Sequence, residues 1–159
     1  MKLLLGNRTA RITGQLIRRA ERLGIPCALE NPHSSVLWQA PWVAPLLSFS
    51  SYREYVCDMC RFGSPWRKRT RIATWGVRLP RPRSKLSQPC LCGGRKGICS
   101  TTGDPHRILM GNAPGGVPWT KVAERYPSSF AKAFSSLLSD EVEVSTMDRW
   151  ISLGTTCMQ

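Results

Sequence analysis

The sequence predicts an α/β fold, on three observations. A stretch with helical periodicity at 8–23 leads at once into a short apolar run, Ile25-Pro26-Cys27-Ala28-Leu29, which ends in polar Glu30-Asn31-Pro32; a helix feeding a buried strand is the building unit of such folds. Two more strand candidates follow at 52–60 and 72–77, and helical periodicity returns at 128–138. The composition supplies a core: 42% of the 159 residues are hydrophobic and 21% are charged, which fits one domain and excludes a wholly disordered chain.

Each element has a local reason. In the first helix Ile12, Leu16, Ala20 and Leu23 recur at spacings of three and four with Ile17 beside them, while Arg8, Arg11, Arg18, Arg19 and Arg22 take much of the remaining surface. Gly24 is placed to cap it and Pro26 blocks its continuation. The strand ending at Leu29 puts Glu30 and Asn31 at its carboxyl end, where ligands sit in α/β sheets. Residues 33–51, rich in Pro, Trp and Ser, read as a loop with an aromatic and aliphatic patch, and the strand candidates at 53–77 form a hairpin-like pair. Residues 81–117 hold many Gly, Pro, Ser and Cys and read as an irregular insert within a domain whose first part is 1–80 and whose last part is 118–159. Trp119 to Tyr126 forms a short helical turn stopped by Pro127, and Ser128 or Ser129 can cap a helix with Phe130, Ala133, Phe134, Leu137 and Leu138 on one face.

Charge narrows the partners. Lys and Arg number 23 against 10 Asp and Glu, a formal net charge of +13, which points to a polyanion and first of all to nucleic acid. The longest apolar stretch, Val36 to Phe49, is 14 residues broken by Gln39, Pro41 and Pro45, whereas a membrane-spanning helix needs about 20 apolar residues. No membrane role is expected. Met1–Asn7 carries only a three-residue apolar run and no cleavage pattern, so the seven cysteines read as reduced thiols or metal ligands in an intracellular chain, nuclear or nucleoid-associated if it binds DNA.

Three groups of residues carry chemistry. A carboxyl group in a strand-end crevice can have its pKa raised by desolvation, which suits it to share a proton with a ring nitrogen, and this makes Glu30 a candidate, with Asn31 beside it to supply turn hydrogen bonds; a strand end carrying Glu and Asn for solvation alone is the plainer reading. The turn Cys60-Arg61-Phe62-Gly63-Ser64-Pro65-Trp66-Arg67-Lys68-Arg69-Thr70-Arg71 offers five cations within eleven residues and a Trp among them, the combination that neutralises phosphates and stacks on an unpaired base; the plainer reading is a solvated basic hairpin. Cys57-x-x-Cys60, Cys90-x-Cys92, Cys99 and His106 can supply a tetrahedral zinc site, or stand as buried thiols. His33 reads as a loop residue.

Taken together, Glu30-Asn31-Pro32, a loop with Ser35, Leu37 and Trp38, and Cys60-x-Phe62-Gly63-x-Pro65-Trp66-Arg67-Lys68-Arg69-Thr70 resemble DNA cytosine-5 methyltransferases, most of all a branch found in phages and mobile elements. Trp119-Thr120-x-x-Ala123-x-x-Tyr126-Pro127-x-x-Phe130 is similar to a later helix of the family, so the resemblance runs over roughly residues 7 to 138. It implies a partial Rossmann-like, S-adenosylmethionine-dependent methyltransferase fold. It implies also that Glu30 hydrogen-bonds and protonates the ring nitrogen of a flipped cytosine, with Asn31 beside it. Arg67, Lys68, Arg69, Thr70 and Arg71 would support the base pocket and hold DNA phosphate. The same branch shows Cys, Cys and His in this region, which suggests Cys60, Cys92, Cys99 and His106 as zinc ligands. The family's Phe-x-Gly-x-Gly turn for S-adenosylmethionine and its Pro-Cys nucleophile loop are not found before Glu30, which only 29 residues precede. The expected protein is therefore the base-pocket and DNA-contacting half of a methyltransferase, inactive alone and partnered by DNA and by a missing N-terminal half. A zinc-stabilised nucleic-acid-binding module without catalysis is the alternative.

Overall fold

The first helix, α1 (Lys2–Arg22), extends six residues further towards the N-terminus than the periodicity at 8–23 predicts. It stops where Gly24 takes a left-handed φ of 63°, and the Ile25 N–H folds back onto the Ala20 carbonyl at 2.9 Å. Then follow β1 (Cys27–Pro32), two 3-10 helices (Val36–Gln39 and Ala44–Ser48) in the segment read as a loop, β2 (Tyr52–Asp58), a 3-10 turn (Met59–Phe62), β3 (Arg69–Trp75), α2 (Trp119–Val122) and α3, a helix over 128–139. The computed structural model describes residues 2–77, 86, 92 and 97–139; the end of the C-terminal segment, 140–159, and Cys90 lie outside them.

The three strands form one antiparallel sheet in the order β1-β3-β2. β3 is central, pairing Glu30 with Ile72 on one side and Tyr55 with Ile72 on the other. The fold is mixed α/β, as expected, and the pair at 53–77 is a true antiparallel pair. Among the described residues no two adjacent strands are parallel, so the sheet is not itself the doubly wound kind.

Side chains alternate across β3 and sort the core into two halves. One face carries Ala73 and Trp75, which pack with Ile17 of α1 and with Trp38, Val43 and Leu46 of the 3-10 segment. The other carries Ile72, which packs with Tyr55, Cys57, Met59, Phe62, Leu86 and Phe130 of α3. Helical elements thus cover both faces of the sheet. Trp75, Ile72, Leu46 and Met59 are fully buried, each contributing roughly 1.5–3 kcal/mol of burial free energy, and Trp75 also donates its indole N–H to the Leu46 carbonyl at 2.8 Å.

The helix periodicity points to Ile12, Leu16, Ala20 and Leu23 as the apolar stripe, but α1 buries Ala10, Gly14 and Ile17 instead, leaving Leu16 63% exposed. The reason is steric. A Cβ at Gly14 would stand 2.4 Å from the Trp42 carbonyl oxygen, so only the small-residue face can approach the 3-10 segment.

Candidate functional site

Glu30 and Asn31 part company. Successive strand residues face opposite sides of a sheet, and Asn31 lines an apolar groove of about 730 Å3 between α1 and the 3-10 segment, while Glu30 faces α3. There the Tyr126 hydroxyl donates a short hydrogen bond to Glu30 Oε2. Glu30 Oε1 is buried with no hydrogen-bond partner among the described residues. Tyr126 is held by a run of rings, Phe130 at 5.2 Å and Phe134 at 6.0 Å beyond it, with Phe62 edge-on to Phe130 at 5.3 Å. Burial first, then the bond and charge of Glu30, push the Tyr126 phenol up. On the same face the Cys57 thiol is pushed up to about 12, by burial and then by the carboxylates of Asp58 and Glu30.

The basic turn folds largely inward. Arg67 meets buried Asp58 at 3.3 Å, and Arg71 meets Glu54 at 2.6 Å and the Tyr52 hydroxyl at 2.7 Å while lying over the Trp38 ring. Lys68 donates to the Ala123 carbonyl at 3.0 Å and covers the Tyr126 ring. It is also the one non-glycine with a positive φ among the described residues, at 30°, a conformation that costs of order 1–3 kcal/mol and gathers at functional sites. Thr70 is buried and accounts for part of the sheet's interior, not for an anion contact. Only Arg69 of residues 67–71 stands exposed. The array of outward cations that the spacing suggests is therefore mostly a set of internal struts around the Glu30 end of the sheet.

Beside this turn the structure brings together the four residues singled out as metal ligands. The ligand atoms of Cys60, Cys92, Cys99 and His106 all lie within 4.8 Å of one another. Cys60 rides on the 3-10 turn after β2, which Gly63 closes with a left-handed φ of 89° that a residue with a Cβ adopts only under strain. Cys99 and His106 come from a tight loop in which the Cys99 N–H bonds the Asp104 carbonyl at 2.7 Å. Burial, a hydrogen bond to Cys99 and the charges of Cys99 and Asp58 push the Cys60 thiol up to about 12. Burial also works against the Cys99 thiolate, but hydrogen bonds from the Thr101 and Thr102 backbone, the Thr102 hydroxyl and His106 outweigh it and bring this thiol down to about 6. Three sulfurs and an imidazole are the donor set of a structural zinc centre, so the cluster can hold a metal. Cys92 is disulfide-bonded in this structure; as a thiolate ligand it must first be reduced.

Two participants carry no clear signal in the sequence. Tyr126 lies 96 residues from Glu30, and although it sits in the motif at 119–130, nothing in spacing assigns it to that carboxylate. Arg107 lies over the Trp119 ring, 4.3 Å from its centroid, and its N–H bonds the Pro65 carbonyl at 2.7 Å, which ties the insert to the basic turn. Among the described residues no helix is long and apolar enough to cross a membrane. Set against protein-family models, curated proteins and solved structures, the chain matches none.

Proposed function

We propose that this chain is a zinc-assembled nucleic-acid recognition unit of the DNA cytosine-5 methyltransferase type, supplying the base pocket and DNA contacts and inactive alone. The observation that carries the reading is the convergence at one end of the sheet of Glu30, the basic turn and the Cys60, Cys92, Cys99 and His106 cluster. Glu30 fits the role of base-contacting acid. One carboxylate oxygen is oriented by Tyr126 and the other is buried without a partner, and such a buried oxygen costs free energy until a donor reaches it. The amino group of an unstacked cytosine is such a donor, and its ring nitrogen can share the carboxyl proton.

The finer fold assignment has support from direction. β1 and β2 both run antiparallel to β3, and the outer edge of β1 has no strand partner among the described residues. A larger parallel sheet that carries one antiparallel strand is a common mixed arrangement, and a segment adding strands beyond β1 would complete a Rossmann-like sheet here. The residues described do not themselves fit S-adenosylmethionine, because none forms a glycine-rich strand-to-helix turn; methyl transfer belongs to a fuller assembly. That mismatch, together with the Cys3His cluster, favours a second reading, a zinc-stabilised binding module without catalysis.

The test is base discrimination in duplexes carrying one unpaired cytosine, one unpaired thymine or an abasic site. The zinc-loaded chain should prefer cytosine by about tenfold, the scale of one good bidentate base contact. Glu30→Gln should remove the preference while leaving overall duplex affinity nearly unchanged. Equal binding to all three duplexes would overturn the base-pocket role and leave the binding-module reading.

A further inference from the structure

A cleft of about 440 Å3 opens beyond Pro32, between the turn that follows β1, the basic turn and the segment after His106. Four cations line it, Arg67, Lys68, Arg69 and Arg107, with Trp66 as an aromatic wall and no carboxylate. Arg67 and Lys68 are engaged inside the protein. Arg69 and Arg107 have exposed side chains with no ion pair among the described residues, Arg107 resting on Trp119. From these residues we infer that the cleft binds one nucleotide of a nucleic-acid strand, phosphate on Arg69 and Arg107 and base against Trp66, and that the metal centre switches this site on.

The coupling is built into the backbone. His106, a metal ligand, directly precedes Arg107. Cys60, a second ligand, directly follows Met59, whose N–H bonds the Arg67 carbonyl at 2.7 Å. The Arg107 N–H in turn bonds Pro65. Metal binding at Cys60 and His106 therefore clamps together the two segments that bring the free guanidinium groups, and a site set in place beforehand pays less ordering entropy on binding. The His33 N–H bonds the Arg69 carbonyl at 3.1 Å and sets the third wall independently of the metal. This inference rests on the zinc part of the proposed function and not on the role of Glu30.

The experiment measures the affinity of a labelled single-stranded oligodeoxynucleotide for the full reduced chain, zinc-loaded and chelator-stripped. Zinc should tighten binding about tenfold through preorganisation. In the zinc-loaded state, Arg69→Ala with Arg107→Ala should flatten the log–log salt slope by about 0.7, the single-strand value for the one phosphate that the two guanidinium groups share. The control pair Arg18→Ala with Arg22→Ala, of equal charge on α1, should leave that slope nearly unchanged, and all forms are compared only after circular dichroism shows matching folds. Because every variant is read zinc-loaded, unfolding of the stripped chain does not decide the outcome. A zinc-independent affinity, an α1 pair that behaves like the cleft pair, or deoxycytidine monophosphate competing as well as the strand would overturn the inference. A zinc effect that persists while the unpaired cytosine shows no preference would sink the Glu30 role alone.

Discussion

Cys60 is the residue on which most depends, since it belongs at once to the core turn after β2 and to the cluster of three cysteines and a histidine that can hold a metal. Its thiol is pushed up to about 12 while that of Cys99 is drawn down to about 6, so Cys60 is the one of the two that holds its proton more firmly. Zinc takes thiolates, and binding must expel the proton from Cys60. The reduced Cys92 thiol must give up its proton as well, so two protons leave near neutrality and apparent zinc affinity should rise by about a hundredfold per pH unit below the ordinary thiol range. Competition against a chromophoric chelator at several pH values measures this, and a pH-independent affinity would count against Cys60 as a ligand. With seven cysteines and two histidines, spacing alone leaves several four-ligand sets open, and it is the resemblance that singles out Cys60, Cys92, Cys99 and His106. Tyr126 on Glu30 is not legible, because a contact between a strand end and a helix approach 96 residues away depends on packing that no local pattern encodes.

At the scale of elements, period and punctuation locate the pieces well. Gly24 and Pro26 end the first helix, Pro32 stands at the last position of β1, and the apolar face at 130–137 docks as α3. What periodicity misplaces is the buried face of α1, because the more aliphatic stripe at Ile12, Leu16 and Leu23 yields to a face whose virtue is the missing Cβ at Gly14. The consequence is measurable. Gly14→Ala would improve helix propensity yet drive a methyl to 2.4 Å from a backbone oxygen, so the variant should lose about 1–3 kcal/mol of stability as α1 is levered off the sheet. Thermal melts at fixed zinc concentration would show the midpoint falling by several degrees, and an unchanged or raised midpoint would mean that α1 does not pack as described. The inward fold of the basic turn was hidden for a related reason. Whether Arg67 and Arg71 meet phosphate or carboxylate depends on register, which sets Asp58 opposite Arg69 and brings Glu54 to the same face as Arg71.

For the molecule as a whole, the net charge of +13 remains the widest constraint, and the structure decides where it is spent. Arginines of α1 and the two free guanidinium groups of the cleft face solvent, while Arg67 and Arg71 brace the sheet. A three-stranded sheet covered by helical elements on both faces meets the minimum for independent stability, so a metal held between the turn after β2 and the loop at 99–106 would act chiefly by setting the cleft. The claim on which everything else depends is that Cys60, Cys92, Cys99 and His106 bind one metal ion together. X-ray absorption at the zinc edge on the reduced, zinc-reconstituted chain tests it most directly. One zinc per chain with three sulfur neighbours at about 2.3 Å and one nitrogen at about 2.0 Å is the predicted result, with one sulfur lost in Cys60→Ser. Failure to retain stoichiometric zinc, or a shell of nitrogen and oxygen alone, would contradict it.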